Sequence, residues 1–275
     1  MSTTSPIVHE KLKRLRGILA DMGSMVVAFS GGVDSTFVLR VATDVAGLKV
    51  LAVTTDSPTN TDAEIDEARD LARTFGARHH IEEVNELDTP GYAENPADRC
   101  YLCKQTLYPL CRRLAQQAGL EWVVDGVNCD DLGDYRPGLK AAEELSIRHP
   151  LVEAELTKRE IRELSAFYGL STADKPASPC LSSRFPYGTM ISKQRLGQVA
   201  DAETFMRELG FVELRVRHLG NDARVEVSGA EINRLDNSTL RARIVDRLRT
   251  LGFTEVEISQ TPLRSGSLND VLGQP

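Results

Sequence analysis

The sequence predicts an α/β protein: a doubly wound parallel-sheet domain over residues 1–190, then a smaller α+β domain over residues 191–275. Three observations carry this. Apolar runs alternate with amphipathic segments in β-α-β-α-β order through the first third of the chain, as a parallel sheet covered by helices requires. The first run ends in a glycine pair at the mouth of a helix, a ready site for an anion. From about Ile191 the grammar changes: Leu209-Gly-Phe211 and Leu251-Gly-Phe253 each close a helix and open a strand. Two matches are too few for a repeat protein, so they indicate a small mixed sheet with helices on one face.

Residues 9–22 form a helix with Leu12, Leu15, Ile18 and Leu19 facing the first strand. That strand, Met25 to Phe29, is apolar throughout and reads as buried on both faces. Ser30-Gly31-Gly32 ends it, and the glycines let the chain turn tightly and bring N–H groups up to an anion. Asp34 and Ser35 open a helix with Phe37, Val38 and Val41 at helical spacing; its dipole and orphan N–H groups favour negative charge. No Gly-Lys-Ser/Thr follows, so this is not a Walker A loop.

A second strand, Lys49 to Thr55, runs into Asp56-Ser57-Pro58. Ligands of doubly wound sheets lie beyond the carboxyl ends of strands, so this polar end is placed to meet a nucleotide's base or ribose. A helix over 61–75 stops at Gly76, and Arg78 to Val84 is a third strand. Residues 88–103 read as a polar loop ending in Cys100-Tyr-Leu-Cys103, before a helix over about 104–118 that Pro109 interrupts. Trp122 to Gly126 is a fourth strand, 130–138 a polar loop, and Thr157-Lys-Arg-Glu160 a capping box for a helix reaching Tyr168. Residues 173–189, with three prolines and no periodicity, read as an unpacked loop long enough to be functional. Beyond them come helices over 198–209 and 240–250, strands over 213–217, 223–228 and 255–258, and a loosely ordered tail after Gly266.

At 41% hydrophobic, 275 residues can bury two modest cores. No apolar stretch approaches a membrane span, and the first nine residues lack a secretion signal's pattern, so a cytoplasmic location is expected. A net charge of -7 argues against broad attachment to nucleic acid. The five cysteines are odd in number and unevenly spaced, which suggests no disulfide framework. Cys100 and Cys103 alone are a weak signal, because zinc wants four ligands at recognisable spacing. Cys111 lies on an apolar stripe and reads as core; Cys129 fits either role. Cys180 sits among prolines with Lys175 and Arg184 nearby, and cationic neighbours favour a thiolate, which makes it the best candidate nucleophile.

Ser30-Gly-Gly-Val-Asp-Ser35 after a buried strand resembles the PP-loop of the ATP pyrophosphatases, which cleave ATP to AMP and pyrophosphate. This likeness implies an adenine nucleotide alpha hydrolase-like, Rossmann-like domain. It makes Ala28, Phe29, Ser30, Gly31, Gly32, Asp34, Ser35, Thr54, Asp56, Ser57 and Gly126 the candidate ATP-binding residues. With Asp125-Gly-Val-Asn-Cys-Asp-Asp-Leu-Gly-Asp-Tyr-Arg-Pro-Gly138 and Lys175-Pro-Ala-Ser-Pro-Cys-Leu-Ser-Ser-Arg-Phe-Pro-Tyr-Gly188, the sequence is similar to the LarE family of ATP-dependent sulfur transferases from about Lys11 to Asn269.

The resemblance implies the chemistry. ATP, with Mg2+ offsetting the phosphate charge, adenylylates a carboxylate of pyridinium-3,5-biscarboxylate mononucleotide. Cys180 then attacks the activated carbonyl, and a thiocarboxylate results, for biosynthesis of the nickel-pincer cofactor. Some members give up the cysteine's own sulfur; others hold a [4Fe–4S] cluster on three cysteines. Cys100, Cys103 and Cys180 match the second pattern, so cluster-based transfer is the favoured expectation. By the same likeness Ser183, Arg184, Arg215, Arg217 and Arg264 bind substrate, with Glu203 and Glu226 as orienting acids. Arginine forks suit phosphate, and Arg215 and Arg217 share one strand face. A homo-oligomer, a ring of six, is implied. The rival readings are a PP-loop tRNA-thiolation enzyme, an amidotransferase-type ligase, and a non-catalytic ATP-binding regulator. The acidic balance counts against the first, and the Cys180 loop counts against the second.

Overall fold

The computed structural model of the protein describes residues 5–133, 135–264 and 266–272. The chain divides into two compact units, Met1–Val84 with Cys100–Ser178, and Asn85–Arg99 with Pro179–Pro275. The division thus falls at Pro179, ahead of the expected 190, and the excursion over 85–99 goes with the second unit.

The first unit is built on four parallel strands, β1 (Ser24–Ala28), β2 (Lys49–Asp56), β3 (Arg78–Glu83) and β4 (Trp122–Val124), in the order β3-β2-β1-β4. Met25 pairs with Val50 on one side and Trp122 on the other. This central position explains why β1 is apolar on both faces. Arg148 adds a parallel bridge to Val124 at the edge. Around the sheet run α1 (Pro6–Met22), α2 (Val33–Asp44), α3 (Asp62–Thr74), α4 (Arg99–Ala118), α5 (Pro137–Glu144), α6 (Pro150–Glu153) and α7 (Lys158–Phe167). Capping boxes start α3 at Thr61 and α7 at Thr157, and Gly76 (φ 65°) ends α3 in the left-handed region. Leu15, Leu19, Met25, Phe37, Val38 and Ile161 are among the core residues that α1, α2 and α7 bury against β1.

Two sequence expectations change here. Helix α4 begins at Arg99, about five residues early, so Cys100 and Cys103 stand on its first turn and Pro109 falls inside it. A helix of 20 residues tolerates the one N–H that proline removes. Helix α5 was not foreseen, because only Ala141 and Ala142 mark its buried face.

The second unit holds α8 (Lys193–Glu208), β5 (Leu214–Leu219), β6 (Asp222–Val227), α9 (Ser238–Thr250) and β7 (Val256–Ile258). Its sheet has the order β5-β6-β7, antiparallel then parallel, which is the mixed sheet expected. Helix α8 starts five residues before its expected beginning, where Ser192 accepts the Arg195 N–H. The segment read as an unpacked loop is packed in its second half. Leu181 opens a short 3-10 turn, Leu181–Arg184, Phe185 follows it, and both enter the core with Leu196, Val216 and Ile244. A 3-10 turn also forms over Ser267–Leu272, and Tyr187 is hydrogen-bonded to Asn269 there (2.9 Å); residues 273–275 of the predicted loose tail lie outside the described residues. Among the described residues no helix is long and apolar enough to cross a membrane.

Candidate functional site

In the first unit, β1 delivers the chain to the turn Phe29–Gly32. Gly31 adopts φ +69°, and a Cβ there would lie 3.3 Å from the Ala68 Cβ of α3, so glycine is required twice over. Gly32 caps α2 with no side-chain hydrogen bond, which leaves its first-turn N–H groups uncapped. The hydroxyls of Ser30 and Ser35 lie 3.1 Å apart, and Ser35 Oγ accepts the Ser30 N–H (3.2 Å) and donates to the Gly32 carbonyl (3.3 Å). The loop is therefore held open from within. Thr54 braces it from below, donating to the Phe29 carbonyl at 2.7 Å. Ser57 is used locally, with Thr59 and Asn60, and Asp56 ends β2 half-buried.

Gly126, just beyond β4, meets the same loop. A Cβ there would sit 2.7 Å from the Ser35 nitrogen and 3.1 Å from the Asp34 carbonyl carbon. Backbone cannot yield as a side chain does, so Gly126→Ala is expected to displace the first turn of α2. A cost of about 1–3 kcal/mol in stability and a loss of roughly tenfold or more in nucleotide affinity should follow. A thermal melt and an ATP titration of the variant check both.

Two lysines reach this loop: Lys158, expected only as part of a capping box, and Lys175, expected beside Cys180 but with its ammonium on Gly31 and Glu67 instead. Lys158 Nζ lies 2.5 Å from Asp34 Oδ2, and Lys175 Nζ lies 3.2 Å from the Gly31 carbonyl and 2.6 Å from Glu67. Asp34 Oδ1 is buried with no hydrogen-bond partner among the described residues. Burial raises the Asp34 carboxyl above the usual carboxylate range, more than Lys158 lowers it.

Beside Gly126 the buried Asp125 accepts from Tyr108 (2.7 Å), from His149 Nδ1 (2.7 Å) and from the Val127 N–H (3.1 Å). Burial works to raise this carboxyl, but His149 and Tyr108 hold it below its ordinary range. Burial likewise works to lower His149, and Asp125 more than reverses it, so the imidazolium persists above the ordinary histidine range. The signs follow. A raised histidine stabilises the fold fully below its unfolded value of about 6.5 and loses that contribution as pH climbs through the folded value. A depressed carboxylate contributes above about 4 and loses it as pH falls. The pair is most stabilising from about pH 4 to 6.5. Denaturant unfolding is expected to show stability declining above that window, and His149→Gln should flatten the decline.

In the second unit the polar candidates converge on the turn that carries Cys180. Arg184, 1% exposed, lies fork-to-fork on the fully buried Glu203, with Nε–Oε1 and Nη2–Oε2 both 2.8 Å. Its Nη1 donates to the carbonyls of Pro179 (2.6 Å) and Cys180 (3.2 Å) and to Ser183 Oγ (2.8 Å). Glu203 also accepts the Val216 N–H (3.0 Å), and although burial works to raise its carboxyl, Arg184 holds it below the usual range. Arg217 pairs with Glu226 (2.9 Å) and donates to the Ser183 carbonyl (2.9 Å), and Arg99 donates to that of Ser182 (3.1 Å). Four of the five carbonyls from Pro179 to Ser183, all but that of Leu181, are thus gripped by three arginines, and half-buried Cys180 heads a fixed turn. Arg215 is pulled down to about 10, first by burial and then by Arg184. Arg264 forms an exposed ion pair with Asp270.

Of the other cysteines, Cys111 is core as expected, its thiol pushed up to about 12 by burial. Cys100 and Cys103 stand in the first unit, one helical turn apart, and Cys180 stands in the second. Among the described residues no three His, Cys, Asp or Glu side chains form a group that holds a metal ion.

A family model described as asparagine synthase matches residues 19–106, from the end of α1 through the glycine turn to the start of α4. The chain is 39% identical over 263 residues to the pyridinium-3,5-bisthiocarboxylic acid mononucleotide synthase of Lactiplantibacillus plantarum, covering 95% of each chain. It is 41% identical over 266 residues to an uncharacterised protein of Synechocystis, covering 97% of this chain and 99% of that one. With the tRNA-specific 2-thiouridylase MnmA of Xanthobacter autotrophicus it shares 29% over 213 residues, 62% of this chain and 54% of that one. A parallel sheet ending in an uncapped glycine turn, and a likeness to the synthase that runs the length of both chains, lead to one assignment: the chain belongs to the LarE family of sulfur transferases, enzymes of the ATP-using PP-loop type.

Proposed function

We propose that this enzyme adenylylates a carboxylate of pyridinium-3,5-biscarboxylate mononucleotide and converts it to a thiocarboxylate through Cys180, in nickel-pincer cofactor biosynthesis. The observation that carries the reading is the match over 95% of both chains to a synthase named for the bisthiocarboxylic product. ATP lies with its phosphates against the N–H groups of Gly31, Gly32 and the first turn of α2, and with its adenosine toward Ala28, Thr54, Asp56, Ser57 and Gly126. A carboxylate oxygen of the substrate attacks the α-phosphorus and pyrophosphate leaves. The Cys180 thiolate adds to the acyl carbon, AMP leaves, and a thioester joins substrate to enzyme. The substrate's phosphate and second carboxylate fall to Ser183, Arg215, Arg217 and Arg264, with Glu226 orienting Arg217. Arg184 and Glu203 set the turn.

The buried, unpartnered Asp34 Oδ1 is a hard oxygen donor that fits Mg2+, which when bound would neutralise phosphate charge. By family likeness Cys100, Cys103 and Cys180, three thiols of the donor type such clusters use, would hold [4Fe–4S], which when bound would supply a sulfide. Without it, loss of the Cα proton at 180 to a base forms the Cα–Cβ double bond of dehydroalanine, and the Cβ–Sγ bond breaks to expel the substrate as its thiocarboxylate. The iron content and visible spectrum of anaerobically purified protein separate the two: a colourless, iron-free sample that loses the mass of H2S in one turnover selects the second. We also propose a cytoplasmic homo-oligomer, a ring of six by family likeness.

The reaction is tested by pyrophosphate release with ATP and either the pyridinium nucleotide or tRNA. Stimulation by the nucleotide supports the proposal. Stimulation by tRNA would transfer the assignment to the thiouridylase-like reading, and ATP binding without AMP formation would leave a regulator.

A further inference from the structure

The phosphate loop and its surroundings carry carboxylates at Asp34, Asp130, Asp131 and Glu67. An ATP triphosphate brings several more negative charges to the same place. Lys158 and Lys175 are cations that reach it, and Arg162 acts on Asp34 from further away. The stems of the two lysines are fixed by separate devices. Lys158 is the first residue of α7, set there by the capping box of Thr157 and Glu160, and its own N–H donates to Asp130 Oδ2 at 2.8 Å. Lys175 is held through its backbone: Arg162, one turn further along α7, donates to the carbonyls of Ala173 (2.6 Å) and Lys175 (2.7 Å). Helix α7 thus delivers one lysine directly and aims the other. Both ammonium groups end on loop atoms, Asp34 Oδ2 and the Gly31 carbonyl, with side chains 33% and 22% exposed.

We propose that Lys158 and Lys175 are two further nucleotide-binding residues, placeholder cations that pass from Asp34 and Gly31 to the β- and γ-phosphates when ATP arrives. The inference rests on the reading that this loop binds ATP. An anchored stem with a four-carbon arm lets the ammonium change partners without moving the helix. Release of Asp34 leaves both its oxygens open, including Oδ1, which has no partner now among the described residues. The exchange favours the triphosphate over AMP, which lacks the two phosphates the lysines reach.

The experiment titrates the full-length protein and its Lys158→Met, Lys175→Met and Lys158→Arg variants with AMP and with the non-cleavable analogue in which methylene bridges the α- and β-phosphates. Loss of a charge-assisted contact is worth roughly a tenfold to hundredfold weakening. That loss is expected for the analogue in both methionine variants. AMP affinity should stay within about threefold, since no contact to it is removed, and Lys158→Arg should recover most of the analogue's affinity. Manganese titration without nucleotide gives a second readout: Lys158→Met should bind the ion more tightly than the parent, because Asp34 has lost its ammonium. Equal weakening for AMP and analogue would mean that the lysines only pin α7 to the loop, and unchanged affinities for both would equally overturn the inference. A parent protein that binds neither nucleotide would instead remove the ATP reading itself.

Discussion

Cys180→Ala is expected to abolish thiocarboxylate formation while sparing the first half of the reaction. A burst of pyrophosphate no larger than the enzyme present should still appear with ATP and the pyridinium nucleotide. The variant should fold, because the turn is held through backbone: Arg184 takes the carbonyls of Pro179 and Cys180, and Arg217 takes that of Ser183. None of those bonds involves Sγ. Rapid-quench measurement of pyrophosphate, with mass spectrometry of the substrate, reads both halves. A variant that makes thiocarboxylate at the parent's rate would remove Cys180 from the chemistry.

Glu203→Ala should have the largest effect on stability. It leaves the Arg184 guanidinium buried without its carboxylate, and breaking such a pair costs about 3–5 kcal/mol. For a unit of this size that is on the order of 10–20 °C in melting temperature. Glu203 also holds the Val216 N–H at the start of β5, so the loss reaches from α8 into the sheet. The double variant Arg184→Met, Glu203→Leu separates stability from placement. Apolar replacement of both partners restores much of the melting temperature, yet Pro179 and Cys180 stay without their donor, and sulfur transfer should remain impaired. A single variant that melts with the parent would contradict the pair's role.

What was legible in the sequence is what neighbouring residues make. An apolar run, two glycines and a helix start define the phosphate loop within about ten positions, and the same run dictates the centre of the parallel sheet. Cys111 was readable as core because its stripe is apolar. The start of α4 was not: Arg99-Cys-Tyr-Leu-Cys-Lys-Gln-Thr106 shows no clean apolar face, and Pro109 draws attention to the wrong turn. Nor were the contacts of Lys158 and Lys175 with the loop, which they meet across 124 and 144 residues of chain. No spacing rule links them to it. Arg184 shows a different limit. Its residue type suggested a ligand for phosphate, but its partner Glu203 lies 19 positions away on α8, and only the fold reveals that the fork is occupied.

Carboxylate activation by ATP, with capture by Cys180, can be followed through a single atom. With the substrate's carboxylates carrying heavy oxygen, adenylylation followed by thiolate attack moves one labelled oxygen from carboxylate to phosphate. The AMP released should carry one heavy oxygen per turnover. Unlabelled AMP, or ADP in place of AMP, would contradict the account.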